Sequence, residues 1–200
     1  MEKKSVSKNV IWGLVGISFL MVVILILAFV IFFNSPKEIK QETVDAGNVS
    51  MTYTDDINGL SITNAVPTTD QNGMIQSSAD QYFDFTVNVD ITEANAVDYE
   101  IAVIKDTKTS TAMDENIKVY LEQQKSGSYV KVDSPKTLKF STKKSKLGSP
   151  KNSMVIATVT KKKSTVDNYR LRMWLSDQTV LTEGAVQNYT IKVLVNGKAR

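Results

Sequence analysis

The chain has 200 residues, with 24 basic and 21 acidic side chains and neither cysteine nor histidine. These absences exclude disulfides, thiolate and imidazole nucleophiles, and the common zinc and iron sites. They also leave no cysteine to which a lipoprotein anchor could be attached. After an N-terminal hydrophobic segment, the remaining length is enough for one domain of ordinary size.

The first element is an apolar run over residues 10–33, which contains no charged side chain. At about 1.5 Å per helical residue it reaches roughly 36 Å, more than a hydrocarbon core of about 30 Å. The run therefore predicts a single transmembrane helix. Lys3, Lys4 and Lys8 precede it, and short basic segments stay on the cytoplasmic side. We expect residues 1–9 in the cytoplasm and the rest of the chain on the extracytoplasmic side of the cell membrane.

The alternative is a cleaved signal peptide, which has an apolar run of about 7 to 15 residues followed by small residues. The run here is longer, and Ile31, Phe32 and Phe33 are bulky where cleavage requires small side chains. The nearest acceptable tripeptide is Val44–Ala46, which lies beyond the run. We therefore expect the anchor to be retained. Cleavage near Gly47 would instead produce a secreted, matrix-like protein.

A short polar linker is expected over residues 34–46, because Ser35–Pro36 ends the helix. Beyond it the hydrophobic period becomes two, which is typical of strands with one solvated face. This pattern predicts an extracytoplasmic antiparallel β-sandwich of about 8–10 strands over residues 47–200, with a barrel as the alternative. The expected strands cover 49–53, 60–65, 82–91, 97–103, 117–121, 128–132, 138–140, 154–158, 169–175 and 189–195.

Residues that tolerate positive φ or preset a turn separate these stretches, and no amphipathic helix is expected between them. The predicted turns lie at Asn58-Gly59, Asp70–Gly73, Ser126-Gly127, Leu147–Pro150 and Glu183-Gly184.

Two acidic stretches contain the oxygen ligands that calcium prefers. They are Asp55, Asp56 and Asn58, and Asp70 with Asn72. The rest of a calcium loop, including its distal glutamate, is missing from both. We interpret them as turns capped by Asn and Asp, and we expect neither a metal nor a cofactor.

Trp174 falls on the same strand face as Arg170 and Arg172, out of phase with the apolar residues around it. The favoured interpretation is a half-buried indole on which an arginine stacks. The alternative is an exposed aromatic residue that binds a partner.

Four stretches carry a resemblance to known proteins: Met51–Gly73, Tyr82–Val87, Tyr169–Trp174 and Tyr189–Val193. They resemble small membrane-anchored surface proteins of Bacillota. More distantly, residues 48–196 are similar to the TasA and camelysin group of exported β-sandwich proteins, whose members build biofilm matrix fibres. The resemblance implies an exported β-sandwich at the cell surface. This sequence has no histidine-bearing zinc motif that could support the peptidase activity reported for camelysin.

Catalytic motifs are missing from the sequence. It contains no glycine-rich phosphate loop, and no Ser-His-Asp set forms without histidine. Ser141 with Lys144, and Ser145 with Lys146, are formal candidates for a serine–lysine dyad. Chance proximity is expected where both residue types are so frequent, so we predict that the protein is not an enzyme.

Charge is distributed unevenly along the chain. Residues 80–115 contain nine acids and two lysines, and residues 136–163 contain nine lysines and no acid. This segregation predicts an electrically polar domain whose basic segment contacts an anionic partner, such as a wall polymer or lipid headgroups. The alternative is a solvated loop whose lysines protect edge strands. The candidate residues are Lys136, Lys139, Lys143, Lys144, Lys146, Lys151, Lys161, Lys162 and Lys163.

Two hypotheses for function follow. The first is a membrane-anchored cell-surface structural or interaction protein that presents a β-sandwich to envelope polymers or other proteins. The second is a ligand-binding accessory or sensor subunit of a membrane complex, although the expected cytoplasmic tail is too short for a signalling domain. A disulfide-free exterior domain favours a bacterial source. Nucleic acid is not expected as a partner, because the lysines lack interleaved aromatic or arginine residues.

Overall fold

In the computed structural model, the strands belong to the unit Lys37–Arg200. The residues that the structure describes are 21–22, 37–44, 47–54, 58–78 and 81–200. The predicted transmembrane segment, residues 10–33, lies outside them apart from Met21 and Val22. Within the described ranges, no helix has the length and apolar character needed to cross a membrane.

The described part of this unit contains twelve strands, one short α-helix and one 3-10 helix. In chain order they are β1 (Lys37–Val44), β2 (Gly47–Tyr53), β3 (Gly59–Ile62), β4 (Pro67–Thr68), α1 (Asp70–Ile75), β5 (Tyr82–Ile91), β6 (Val97–Lys105), the 3-10 helix (Asp114–Asn116), β7 (Ile117–Lys125), β8 (Ser128–Lys131), β9 (Lys136–Thr137), β10 (Ser153–Lys161), β11 (Thr165–Ser176) and β12 (Tyr189–Ala199).

The strands form two sheets. The large sheet has the order β1-β2-β5-β11-β7-β8, with β4 beside β11 and β9 beside β7. The small sheet has the order β10-β6-β12-β3. Neighbouring strands are antiparallel except for the short parallel contact between β4 and β11. The predicted all-β, antiparallel fold class is confirmed.

Apolar side chains of β2, β5, β6, β7, β11 and β12 pack into a shared core. In β5, for example, Phe83 and Phe85 are buried while Asp84 between them is half-exposed. The ring centres of Phe83 and Phe85 lie 5.5 Å apart, as do those of Phe85 and Tyr169. The hydroxyls of Tyr99 on β6 and Tyr169 on β11 are 2.7 Å apart, so a hydrogen bond joins the small sheet to the large one.

Some predicted boundaries differ from the observed ones. The structure places Lys37–Val44 in β1, at the edge of the large sheet, although we expect a linker over residues 34–46. The strand expected over residues 60–65 ends at Ile62, since Asn64 adopts a φ of 49°. Residues 138–140 are not a strand, and β9 lies just before them.

The turn predicted at Asp70–Gly73 is wrong, because these residues begin α1. The Thr69 hydroxyl accepts a hydrogen bond from the Asn72 amide, which caps the N-terminus of the helix. Gly73 allows the helix to approach the sheet closely, since a Cβ atom there would lie 2.2 Å from Trp174 Cδ2. Tertiary packing against one indole therefore determines the conformation of this segment.

Candidate functional site

The nine candidate lysines lie on different elements and differ in exposure. Five of them, the loop lysines, are exposed on the β9–β10 loop, and two more, the turn lysines, are exposed on the β10–β11 turn. The turn lysines follow the C-terminal end of β10, whereas the loop reaches along the small sheet to Glu100, which pairs with Thr158 of β10. The loop lysines are Lys139, Lys143, Lys144, Lys146 and Lys151, and the turn lysines are Lys162 and Lys163.

The remaining two candidates, Lys136 and Lys161, have structural partners. Lys136 Nζ donates a hydrogen bond to the Ile156 carbonyl at 3.1 Å and lies 2.9 Å from the Asp133 carboxylate. Lys161 Nζ lies 2.7 Å from the Asp167 carboxylate, where both side chains are largely buried. These two ammonium groups are therefore engaged within the fold.

The β9–β10 loop is fastened to the small sheet by a buried carboxylate. Glu100 projects from β6 on the side opposite to the core, yet it is only 4% exposed because the loop covers it. It accepts hydrogen bonds from the Ser145 hydroxyl and from the Ser149 amide, the latter at 2.8 Å. Ser145 Oγ also accepts from the Gly148 amide, and Asn196 donates to Ser149 Oγ. The backbone around Ser145–Ser149, between the loop lysines, is therefore hydrogen-bonded to the small sheet.

The formal serine–lysine dyads are not assembled. The Ser145 hydroxyl is occupied by Glu100, and the Ser141 hydroxyl donates to the Lys143 carbonyl at 3.0 Å. Within the described part of the chain, no lysine ammonium lies within hydrogen-bond distance of either hydroxyl.

The acidic segment does not form a matching acidic surface. Asp84 and Asp90 lie on the outer face of β5, whereas Asp98 and Glu100 lie on the outer face of β6, and the two strands belong to different sheets. Glu100 is buried beneath the loop, and Asp80 lies outside the described residues. Four carboxylates form ion pairs: Asp84 with Arg170, Asp98 with Arg200, Asp106 with Lys192 and Asp114 with Lys105.

Of the two stretches with candidate calcium ligands, Asp70 with Asn72 is described, and these two side chains are not gathered into a site. Asp70 accepts hydrogen bonds from Lys118 Nζ at 2.8 and 2.9 Å, and Asn72 is part of α1. Asp55 and Asp56 lie outside the described residues. Elsewhere in the described ranges, no three acidic side chains are close enough to hold a metal ion.

Trp174 is not an exposed binding residue. Its side chain is 2% exposed beneath α1. The expected arginine stacking occurs on tyrosines instead, since the Arg170 guanidinium lies 3.9 Å from the Tyr82 ring centre and 4.2 Å from that of Tyr129. The helix that covers the indole was not expected from the sequence.

A cavity of about 150 Å³ lies beside this indole, and sequence reasoning missed it. Trp174 Nε1 and Gln76 Oε1, on two residues of its wall, are buried without a hydrogen-bond partner. One is a donor and the other an acceptor, and leaving such a group unpaired costs about 1–3 kcal/mol. The wall contains no charged side chain: Ile62, Thr63, Asn64, Ala65, Val66, Thr68, Gln76, Gln81, Met173, Trp174 and Leu175.

Two surfaces therefore stand out in the described unit, the loop lysines and the cavity at Trp174. No protein-family model matches the chain, and no curated protein matches it.

Proposed function

We propose that the protein is a membrane-anchored cell-surface protein that presents a β-sandwich to anionic polymers of the bacterial cell envelope. The observation that supports this proposal most directly is that hydrogen bonds to Glu100 attach the loop bearing these lysines to the small sheet. Residues 139–151 contain five lysines and no acidic residue, and their backbone is held over the small sheet. A fixed loop loses less conformational entropy when it binds, so its charges are pre-organised for a polyanion.

Membrane attachment is the second part of the proposal, and it is supported by the apolar run over residues 10–33. The resemblance of residues 48–196 to exported surface proteins supports the same interpretation. Binding through exposed ammonium groups is screened by salt, so the interaction weakens as ionic strength rises.

The chain offers a matched pair of variants to test this function. K143E/K144E reverses two adjacent loop lysines, and K162E/K163E reverses two adjacent turn lysines with the same change in net charge. We expect the loop variant to lower the affinity of the full-length protein for poly(glycerol phosphate) by about tenfold at low salt. The turn variant should change it by less than about twofold. Affinity can be measured by biolayer interferometry at several salt concentrations.

Equal losses in the two variants would show that only net charge matters. Unchanged binding in the loop variant would exclude the loop lysines as the contact. Either result contradicts the proposal.

A ligand-binding subunit is the second candidate function, and the cavity at Trp174 favours it. A cavity of about 150 Å³ accommodates one six-membered ring, and a neutral ligand suits a wall without charges. Trp174 Nε1 and Gln76 Oε1 are covered by neighbouring atoms, so a hydroxyl or amide group would supply their missing acceptor and donor once the wall shifts to admit it.

Tryptophan fluorescence tests this candidate directly. In a W12F background, titration with cyclohexanol should change the emission of Trp174 in a saturable manner. The additional change Gln76→Leu removes the acceptor and should weaken binding by about tenfold. An emission that does not respond, or responds equally in both proteins, rules out this ligand site.

A further inference from the structure

The short helix α1 covers the indole of Trp174 but buries almost nothing of its own. It has six residues, and Gly73, which has no side chain, is the one buried residue among them. Ile75, an apolar residue of the last turn, is 71% exposed. Helices of this length are unstable alone, and a glycine in the interior destabilises them further. α1 therefore has little intrinsic or packing stability with which to resist local opening.

Attachments on either side of α1 define where such an opening begins and ends. Thr68, one residue before the N-cap, pairs with Ser176 of β11. At the other end, the Gln76 carbonyl accepts a hydrogen bond from Arg172 Nη1. Arg172 is buried, and its Nε also donates to the Glu122 carboxylate at 2.8 Å. α1 can therefore lift from the large sheet between two fixed points without disturbing the strands.

An ion pair holds α1 between these two points. Lys118 is the cross-strand neighbour of Trp174, and its Nζ lies 2.8 and 2.9 Å from the two carboxylate oxygens of Asp70 in the first turn of α1. The side chains of Lys118 and Asp70 are 21% and 42% exposed. Ion pairs with this exposure contribute little to stability, and salt screens them. We call the Lys118–Asp70 pair the latch, and it is a weak one.

α1 also covers the indole nitrogen that lacks a hydrogen-bond partner. A Cβ atom at Gly73 would lie 2.4 Å from Trp174 Cε2, the ring atom bonded to Nε1. Gln76, whose Oε1 also lacks a partner, forms the C-cap of α1. Lifting α1 would therefore uncover the donor and open space beside the acceptor.

We infer that α1 is a lid over the cavity at Trp174, that the latch keeps it closed, and that a small neutral ligand with a hydroxyl or amide group enters when it opens. This inference rests on the second candidate function, ligand binding at the cavity. A bound ligand favours the closed lid, because its polar group pairs with Trp174 Nε1 and Gln76 Oε1 when both are in place.

A lysine substitution tests the lid in the full-length protein. In the W12F background Trp174 is the one remaining tryptophan, so acrylamide quenching of its emission reports how often α1 exposes it. Lys118→Met removes the ammonium group and keeps a flexible apolar side chain. We expect it to raise the Stern–Volmer constant at least about twofold. Lys192→Met is the matched control, since it removes the Lys192–Asp106 pair on the small sheet and should leave the constant unchanged.

Hydrogen exchange followed by mass spectrometry locates the opening. In Lys118→Met the amides of residues 70–76 should exchange at least about threefold faster, whereas those of β6 and β12 should be unaltered. Raising the ionic strength should accelerate exchange of the same amides when Lys118 is present, because salt screens the latch. Saturating cyclohexanol should slow their exchange.

Unchanged quenching and exchange in Lys118→Met would overturn the lid, even if cyclohexanol binds. Equally faster exchange in β6 and β12 would also overturn it, because global unfolding would then expose the indole. A failure of the second candidate function has a different signature. The lid would open in Lys118→Met, but cyclohexanol would neither change the emission of Trp174 nor slow exchange, which contradicts the ligand site and leaves the motion of α1.

Discussion

A buried pair of tyrosines shows how single side chains join the two sheets. The Tyr99 hydroxyl meets the Tyr169 hydroxyl and also donates to Asp167 Oδ2 at 3.0 Å. Asp167 in turn accepts hydrogen bonds from Lys161 and Gln123. Burial raises the pKa of Tyr169 to about 12, and burial also raises the pKa of Tyr99, with further contributions from Tyr169 and Asp167. The fold therefore favours the neutral form of both phenols.

This preference predicts a loss of stability at alkaline pH. Phenols in the unfolded chain ionise near pH 10, whereas in the folded chain these two retain their protons to higher pH. The unfolded state then binds fewer protons, so the free energy of unfolding falls as pH rises from 10 to 12. Urea unfolding at pH 9, 10, 11 and 12 measures this dependence.

The control for this prediction is Tyr169→Phe, which keeps the ring but removes one ionising group. Its free energy of unfolding should depend less steeply on pH in the same range. An identical slope in the parent protein and the variant would show that other groups cause the alkaline loss.

Hydrogen bonds to one buried carboxylate attach the β9–β10 loop to the small sheet. Its attachment depends on one carboxylate, and hydrogen bonds to a charged acceptor are stronger than those to a neutral one. Glu100→Gln removes the charge while nearly preserving the shape of the side chain. The loop should then open locally more often, because its hydrogen bonds to the small sheet weaken.

Trypsin reports this opening, since it cleaves after lysine. We expect Glu100→Gln to accelerate cleavage after Lys143, Lys144 and Lys146 by about fivefold under native conditions. Cleavage sites and rates can be followed by mass spectrometry. Glu93→Gln, a change at an exposed glutamate, should leave the rates unaltered. Unchanged cleavage in the Glu100 variant would mean that the loop is held by other contacts.

Elements with a strong hydrophobic period were predictable from sequence. β5 has the predicted bounds because its inward positions alternate without a break. β1, β4, β9 and α1 were not predicted. β4 and β9 have two residues each, too few to show a period, and α1 depends on packing against Trp174.

At the level of the whole molecule, the alternation of apolar and polar residues predicts the all-β class, but it does not predict the order of the strands in the sheets. The large sheet places β11 between β5 and β7, so strands distant in sequence become neighbours. The candidate lysines could be identified from the distribution of charge along the sequence. Their distribution over a loop, a turn and two internal ion or hydrogen-bond pairs could not be predicted, because it depends on where β10 begins and ends and on the path of the loop. Gln76 and Trp174 both line the cavity, but they are far apart in the sequence and no short-range pattern relates them.

The residues that attach the β9–β10 loop to the small sheet differ from those that give the loop its charge. The loop is held by Glu100, Ser145 and Ser149, none of which is a lysine. Its five lysines are exposed, so replacing one of them leaves no buried hydrogen-bonding group without a partner. Mutation can therefore change the surface charge of the loop while its attachment to the small sheet is kept. Exposed charge and attachment are encoded in different residues of the same loop, so each can change without the other.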